Sequence, residues 1–256
     1  MNHSAKRVLD VLELMAVSEP LTMKEMGDAL GIPKSSIFDL VNILSERDFL
    51  VLDDSRAKTY KLGVAVYHVG MAYASQSDLY RVAHPILRAL TESIATTGYL
   101  AIEQQGELVY LDKSESHSPI AFSMKIGSRN TLHSTALGKA MLAGKDDASL
   151  TAFAAKGLVP KTSRTLCDVD ALRRDLEATR CRGYAIDDGE DNEFLYCLAA
   201  PIRDGRGKVV AAISVTAPRT GIIDAEVVER AEKLLAAAMQ ISRSLGFQKE
   251  FLYERT

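Results

Sequence analysis

Apolar residues recur at helical spacing over residues 5–17, where Val8, Leu9, Leu12 and Met15 form one stripe. Pro20 breaks that stripe. Thr22 and Glu25 then stand at the spacing of a capping box, which predicts a helix start at Thr22 with Met26, Ala29 and Leu30 on its buried side. Gly31-Ile32-Pro33 reads as a tight break, and a third helix is expected over 35–46 with Ile37, Leu40, Val41 and Leu44 inward. Pro33 suits its first turn, where a missing N–H is no loss. Residues 49–52 and 58–62 read as two short strands around the turn Asp53-Asp54-Ser55-Arg56, and Gly63 ends the hairpin. Residues 64–75 return to helical spacing through Val66, Val69 and Met71. Three helices followed by a hairpin is the order of a winged helix-turn-helix.

From Asp78 onward the pattern changes. A helix is expected over 79–96, broken or kinked at Pro85. Residues 98–103 and 108–112 read as strands joined through Gln105-Gly106-Glu107, and 120–125 as a further strand. Helices are expected over 134–142, 147–156 and 169–181, the last closed by Gly183. Two apolar strands, 195–202 and 208–216, flank Asp204-Gly205-Arg206-Gly207, and a long helix over 224–245 ends at Gly246. Hairpin-linked strands argue against a parallel dinucleotide-binding sheet. The fold class is therefore α/β in the broad sense, a two-domain α+β chain with a mainly antiparallel second sheet. The expected division is a winged helix-turn-helix over 1–63, a linker or dimerisation helix over 64–77 and a larger domain over 78–256.

The window from Met23 to Asn42 carries the most specific chemistry. Two crossed helices need a small residue at the crossing, supplied by Gly27, and a turn position that tolerates positive φ, supplied by Gly31. The second helix would enter a major groove with its N-terminal turns nearest the bases. Lys34, Ser35 and Ser36 suit phosphate or base contacts at that end. Phe38 suits a thymine methyl and Asn42 an adenine, while Asp39 repels phosphate and suits a cytosine amino group or a neighbouring cation. Arg56 and Lys58 project from the wing, and Lys6 and Arg7 lie where flanking backbone would pass.

Composition narrows the partners. The 256 residues hold 31 Lys plus Arg and 34 Asp plus Glu, a net charge of −3, so a polybasic protein is excluded. Residues 1–75 carry eight basic and ten acidic side chains, so any DNA contact must come from a local patch and be strongly salt-dependent. The three cysteines, Cys167, Cys181 and Cys197, form no CxxC, and the five histidines are scattered without an HExxH. No metal site and no cofactor is expected. No apolar run approaches the roughly 18 residues of a membrane span, and the sparse, odd cysteine count fits a reducing compartment, so a cytoplasmic protein is expected.

Several motifs occur in a fixed order. They are Leu21-Thr22 with Glu25, the run Gly31-Ile32-Pro33-Lys34-Ser35-Ser36, Tyr60-Lys61-Leu62-Gly63, and Gly127-Ser128-Arg129. Then come residues 132–140 (LHSTALGKA), Arg180 with Arg182-Gly183-Tyr184-Ala185, Asp187-Asp188, residues 197–202 (CLAAPI) and residues 211–215 (AAISV). In this order the chain resembles the IclR family of bacterial transcription regulators over about 5–246. The resemblance implies a winged helix-turn-helix, a linker helix and a GAF-like effector-binding domain. It also implies a homodimer or dimer of dimers on double-stranded operator DNA, with a small metabolite as effector, commonly a carboxylate. The protein is then a transcription regulator, a repressor before an activator, and not an enzyme.

Carried over residue by residue, the resemblance places backbone amides of 134–138 against the acid group of the effector, with Ala136 and Leu137 central. Asp187 stands at an acidic pocket position, Cys197 on a pocket-facing strand, Ser214 and Thr216 at two hydroxyl positions, and Phe122 and Met124 in an apolar wall. Residue types support part of this: Ser214 and Thr216 are two apart among apolar neighbours, so they share one face of a strand. Plainer readings stand beside it. Cys197 also suits small core filling, Asp187 a solvated turn, and His133 a structural role. The chain departs from the family in having Phe38-Asp39 in mid recognition helix, where a basic residue is common. It departs again at Glu193-Phe194-Leu195-Tyr196, where a glycine is common and larger side chains would narrow the pocket. Rival readings are a redox-sensing regulator acting through its cysteines, a winged-helix interaction module that binds no DNA, and a cysteine hydrolase built on Cys197, His133 and Asp187.

Overall fold

The computed structural model describes residues 3–115, 124–220 and 224–253. The chain divides into two compact units, Met1–Ser77 and Asp78–Thr256.

In the first unit α1 (His3–Val17) precedes a two-residue strand β1 (Leu21–Thr22), α2 (Met23–Leu30) and α3 (Lys34–Glu46). The hairpin β2 (Leu50–Asp54) and β3 (Thr59–Leu62) follows, then α4 (Val64–Gln76). Thr22 caps α2 reciprocally with Glu25: the Glu25 amide donates to Thr22 Oγ1 at 3.2 Å and the Thr22 amide to Glu25 Oε2 at 2.8 Å. Gly31 takes the left-handed conformation at φ +64° and turns the chain into α3, where Pro33 stands just before the helix as its N-cap. A Cβ on Gly27 would come within 3.1 Å of the Ile32 carbonyl, so the α2–α3 crossing is close at this glycine and a side chain there would push that carbonyl back by a few tenths of an ångström. Val11, Met15, Met26, Ile37, Leu40, Val41, Leu44 and Leu50 form the core. Ala29 is not part of it; it lies on the exposed side of α2. The wing is a three-stranded sheet of order β1-β3-β2, because the residues just before the capping box pair with Thr59 and Tyr60. Lys58 falls in the turn with φ +55° and not in the strand.

The second unit opens with α5 (Asp78–Ser93), which continues through Pro85, so of the expected break or kink the break is absent. Its sheet has the order β6-β5-β4-β9-β8-β7, every neighbouring pair antiparallel. The strands are β4 (Thr97–Gln104), β5 (Glu107–Glu115), β6 (Arg129–Asn130), β7 (Ala185–Asp188), β8 (Leu195–Arg203) and β9 (Val209–Pro218). Between β6 and β7 come α6 (Ala136–Leu142), α7 (Asp147–Ala154) and α8 (Val169–Arg182); α9 (Asp224–Ser244) closes the unit. Strand alternation divides the core in two. Leu100, Leu198, Ala200, Ile202, Ala211, Ile213 and Val215 pack with α5 and α9. Tyr99, Ala101, Ala199 and Ala212 pack on the other face with α6 and α8. The small residues on that face admit α6, all of whose seven residues are buried.

Of the strand expected over 120–125, residues 120–123 lie outside the described residues, and 124–125 are not in a strand. The short strands β1, β6 and β7 are additions to the sequence reading. At β7 the pair Asp187-Asp188 suggested a turn, but pairing with β8 carries the backbone on and buries Asp187.

Candidate functional site

The strand register builds the floor of a cavity in the second unit. Asp187 on β7 pairs with Cys197 on β8, Cys197 pairs with Thr216 on β9, and Ser214 pairs with Tyr99 on β4. Residues two apart on a strand share a face, so the Cys197, Ser214, Thr216 and Tyr99 side chains all reach the side occupied by α6. They line one small cavity together with Tyr110, Met124, Thr135, Ala136, Leu137, Asp187, Asp191, Asn192 and Leu195.

Met124, Ala136, Leu137, Asp187, Cys197, Ser214 and Thr216, seven of the residues singled out for an effector, thus line one cavity. Phe122 lies outside the described residues. Sequence reasoning missed Tyr99, Tyr110, Asp191 and Asn192, while Thr135 lies in the expected 134–138 segment and Leu195 in the expected 193–196 run. Tyr99 was within reach only through the β4–β9 register, which one sequence does not disclose. The expected narrowing by residues 193–196 is limited to Leu195: Phe194 is exposed and Tyr196 packs on the opposite side of the sheet.

The wall opposite the floor is the start of α6. Thr135 is its N-cap; its Oγ1 accepts from the Gly138 amide at 3.1 Å and donates to the Thr131 carbonyl at 2.9 Å. The amides of Ala136 and Leu137 occupy the first two helical positions, which have no acceptor within the helix. Gly138 is required here, since a Cβ would meet the Leu132 carbonyl at 2.2 Å. The aromatic wall is an edge-to-face pair, Tyr99 and Tyr110, with ring centroids 5.4 Å apart. Tyr99 Oη accepts from the Met124 amide at 3.2 Å.

Two carboxyls close the cavity. Asp191 accepts from Asn130 Nδ2 at 2.9 Å and from Ser134 Oγ at 3.0 Å. Asp187 Oδ1 accepts from the amides of Glu190 at 2.6 Å and Asp191 at 3.3 Å. Burial pushes the Asp187 carboxyl up to about 7; the Glu190 amide opposes that rise, the Glu190 carboxylate adds to it, and Lys139 opposes it. Burial also pushes the Cys197 thiol well up, with the neighbouring Asp187 adding to the effect. Thr216 Oγ1 donates to Cys197 Sγ at 3.4 Å. Among the described residues no Lys or Arg lines the cavity.

The nucleophile–base arrangement of a hydrolase is not assembled. His133 Nε2 bonds to the Val159 carbonyl at 3.0 Å, its ring lies by Phe153, and it does not line the cavity. Cys197 is bonded to a threonine and its thiol form is favoured by burial, the reverse of an activated thiolate. Among the described residues no cluster of His, Cys, Asp and Glu suits a metal ion.

In the first unit, Lys34, Ser35, Phe38 and Asp39 are exposed on the first turns of α3, with Ser36 and Asn42 half-buried. Phe38 keeps 54% of its surface accessible, an unusual exposure for a phenylalanine on a helix that buries Ile37 and Leu40 on its other side. Pro33, the N-cap of α3, supplies no side-chain cap, which leaves first-turn amides open. Arg56 and Lys58 are exposed at the tip of the β2–β3 hairpin. Lys6 is exposed with Asp10 at 3.9 Å, and Arg7 is half-buried. On α4 no residue is buried within its unit, and Val64, Tyr67, Val69, Met71 and Tyr73 are all exposed.

A winged helix-turn-helix joined in one chain to a cavity-bearing antiparallel domain defines the class of ligand-responsive DNA-binding regulators. Residues 4–54 match the IclR helix-turn-helix domain, and residues 71–243 match the bacterial transcriptional regulator IclR C-terminal domain. The chain belongs to the IclR family of bacterial transcriptional regulators. It is 32% identical to the HTH-type transcriptional regulator BhcR of Paracoccus denitrificans (strain Pd 1222), over 95% of this chain and 88% of that one. It is 34% identical to the HTH-type transcriptional repressor AllR of Escherichia coli (strain K12), over 86% of this chain and 81% of that one. Its fold matches the crystal structure of Thermotoga maritima IclR at 26% identity with a TM-score of 0.83, covering 96% and 100% of the two chains. Binding operator DNA and dimerising are typical of this family, and no helix among the described residues is long and apolar enough to cross a membrane.

Proposed function

We propose that this protein is a repressor whose DNA binding is controlled by a small organic acid held in the cavity of the second unit. The observation that carries this reading is the convergence of Asp187, Ser214, Thr216 and Thr135 on one partly aromatic cavity, together with the start of α6. A few convergent polar groups among apolar and aromatic side chains are what a small-ligand cavity uses to orient its ligand. The acid group of the effector takes the amides of Ala136 and Leu137, and Asp187 meets it as a neutral acid. The aromatic pair Tyr99 and Tyr110 packs on its carbon skeleton. The relative AllR, named a repressor, supports repression.

On the DNA side, Lys34, Ser35, Ser36, Phe38, Asp39 and Asn42 face a major groove. Arg56 and Lys58 flank it from the wing, and Lys6 and Arg7 meet the adjoining backbone. The exposed apolar residues of α4 pair two copies of the chain. The test is a thermal-shift screen of small organic acids on the wild type and on Ser214→Ala and Thr216→Ala, followed by gel shift with the DNA upstream of the protein's own gene. The reading expects one acid to raise Tm in the wild type, to do so less in both variants, and to weaken the gel shift. Acids that shift all three proteins equally would contradict it.

A further inference from the structure

Lys139 is fully buried, and among the largest side chains with no exposure it is the one that carries a charge. A lysine is placed so only where paired groups repay the loss of hydration. Its Nζ donates to Glu190 Oε1 at 2.5 Å. It also forms an ion pair at 3.0 Å with Asp175 Oδ2 on α8, and the other oxygen of Asp175 lies 3.5 Å from Arg182. The second Glu190 oxygen, Oε2, is buried with no hydrogen-bond partner among the described residues, so Lys139 is the side chain on which this carboxylate chiefly leans. The Glu190 amide in turn donates to Asp187 Oδ1 at 2.6 Å.

These contacts form an unbroken path from one wall of the cavity to the other. Lys139 lies three residues beyond Ala136 on α6, and the path runs through Glu190 to Asp187. From outside, the same turn is fixed by Arg164 and Arg219, which bond to Asp188 at 2.5 and 2.6 Å, and by Thr162, which donates to the Gly189 carbonyl at 2.7 Å. Ser134, just before the N-cap of α6, donates to Asp191 at 3.0 Å, and Lys139 is the member that ties the turn to the body of the helix.

We propose that Lys139 is the positioning residue of the cavity: through Glu190 it holds residues 187–191 at a fixed separation from α6, so that the two walls that grip an effector behave as one body. This deepens the effector-cavity reading and rests on it for its purpose, but its test needs no effector. The charged and titratable groups around Asp187 are Glu190 and Asp191 on its own turn, Cys197 on β8 and Lys139 on α6. Removing the cation and removing its partner therefore act on Asp187 in opposite senses.

The experiment follows the side-chain carboxyl of Asp187 and the backbone amides of residues 136, 137 and 190 by NMR across pH in the full chain. The proteins compared are the wild type, Lys139→Met, Lys139→Arg and Glu190→Gln. The midpoint of the Asp187 titration should move up in Lys139→Met, down in Glu190→Gln, and return toward the wild type in Lys139→Arg. The amides of Ala136 and Leu137 should shift in Glu190→Gln although that change is made on the opposite wall. A lysine acting only through its charge would move the Asp187 midpoints without the cross-cavity shifts, and one that merely fills the core would lower Tm without either. If Lys139→Met does not fold, Glu190→Gln, which keeps the Asp175 ion pair, decides the matter. Unmoved amides at 136 and 137 in Glu190→Gln overturn the proposal, whatever the Asp187 midpoint does. Failure of every acid to bind would overturn the effector reading and leave these two readouts unaffected.

Discussion

Asp187 and Cys197 face each other as register partners on β7 and β8, and burial pushes both toward their neutral, protonated forms. Asp187 is therefore largely neutral below about pH 7, although a carboxyl stands in the cavity. That state makes room for an anionic ligand beside an aspartate.

The first prediction concerns stability and pH. The folded Asp187 binds its proton up to about pH 7, against an ordinary value of 3.8. Between those values the folded state holds more protons than the unfolded one, so this group's stabilising share is fully present below pH 3.8 and is lost as pH rises through about 7. A displacement of this size corresponds to roughly 4 kcal/mol. Denaturant unfolding at pH 5 and pH 8 should show Asp187→Asn gaining stability relative to the wild type at the higher pH. A constant difference between the two proteins would contradict the assignment.

Ligand affinity should carry the same signature. An acid bound beside neutral Asp187 is expelled when that group ionises, so its Kd should weaken as pH rises above 7 in the wild type and stay nearly flat in Asp187→Asn. Calorimetric titration with the acid found in the thermal-shift screen measures both.

The packing of α6 gives a third expectation. A Cβ on residue 138 would meet Leu132 backbone atoms at 2.2–2.5 Å, and these are not the end of a flexible side chain. Gly138→Ala should therefore cost on the order of 1–3 kcal/mol or more in unfolding free energy and should abolish any acid-induced rise in Tm. A variant of wild-type stability would show that the Leu132 backbone yields easily.

On DNA, removing the charge of Lys34 or Lys58 should weaken binding to operator and scrambled duplex alike and reduce the slope of log K against log salt by about one. Phe38→Ala and Asn42→Ala should change base preference while leaving that slope intact. Fluorescence anisotropy over a salt series separates the two outcomes. Loss of slope in Phe38→Ala would remove that side chain from the base-reading set.

The thiols offer a check on the redox rival. Cys167 and Cys181 are exposed, and Cys197 is held protonated inside the cavity. Two thiols should label quickly and one slowly, and mild oxidation should leave DNA affinity unchanged. A loss of DNA binding on oxidation would favour the redox reading.

Local signals carried much of this architecture. The Thr22–Glu25 box, the left-handed Gly31 and the αL-closing Gly183 act within a few residues, and each stands where its chemistry predicts. Ser214 and Thr216 were placed on one face by strand period alone. What was hidden depends on long-range pairing. Asp187 reads as a turn residue until β8 pairs with its backbone. Tyr99 enters the cavity only through its register with Ser214, 115 positions away. Lys139 looks like a surface lysine until Asp175 and Glu190, 36 and 51 residues further on, converge on it. Pro85 suggested a break or a kink because proline lacks a helix N–H, and the helix continues past it because the inner face of α5 buries Ala83, Leu87 and Leu90.

The central claim is that occupancy of the cavity alters DNA binding by the same chain. Its most direct test is the Kd of the full-length protein for its upstream DNA, with and without the acid that raises Tm, in the wild type and in Thr216→Ala. The account predicts a marked weakening in the wild type that is reduced in the variant. A Kd unmoved by a cavity-binding acid, or moved equally in both proteins, would contradict it.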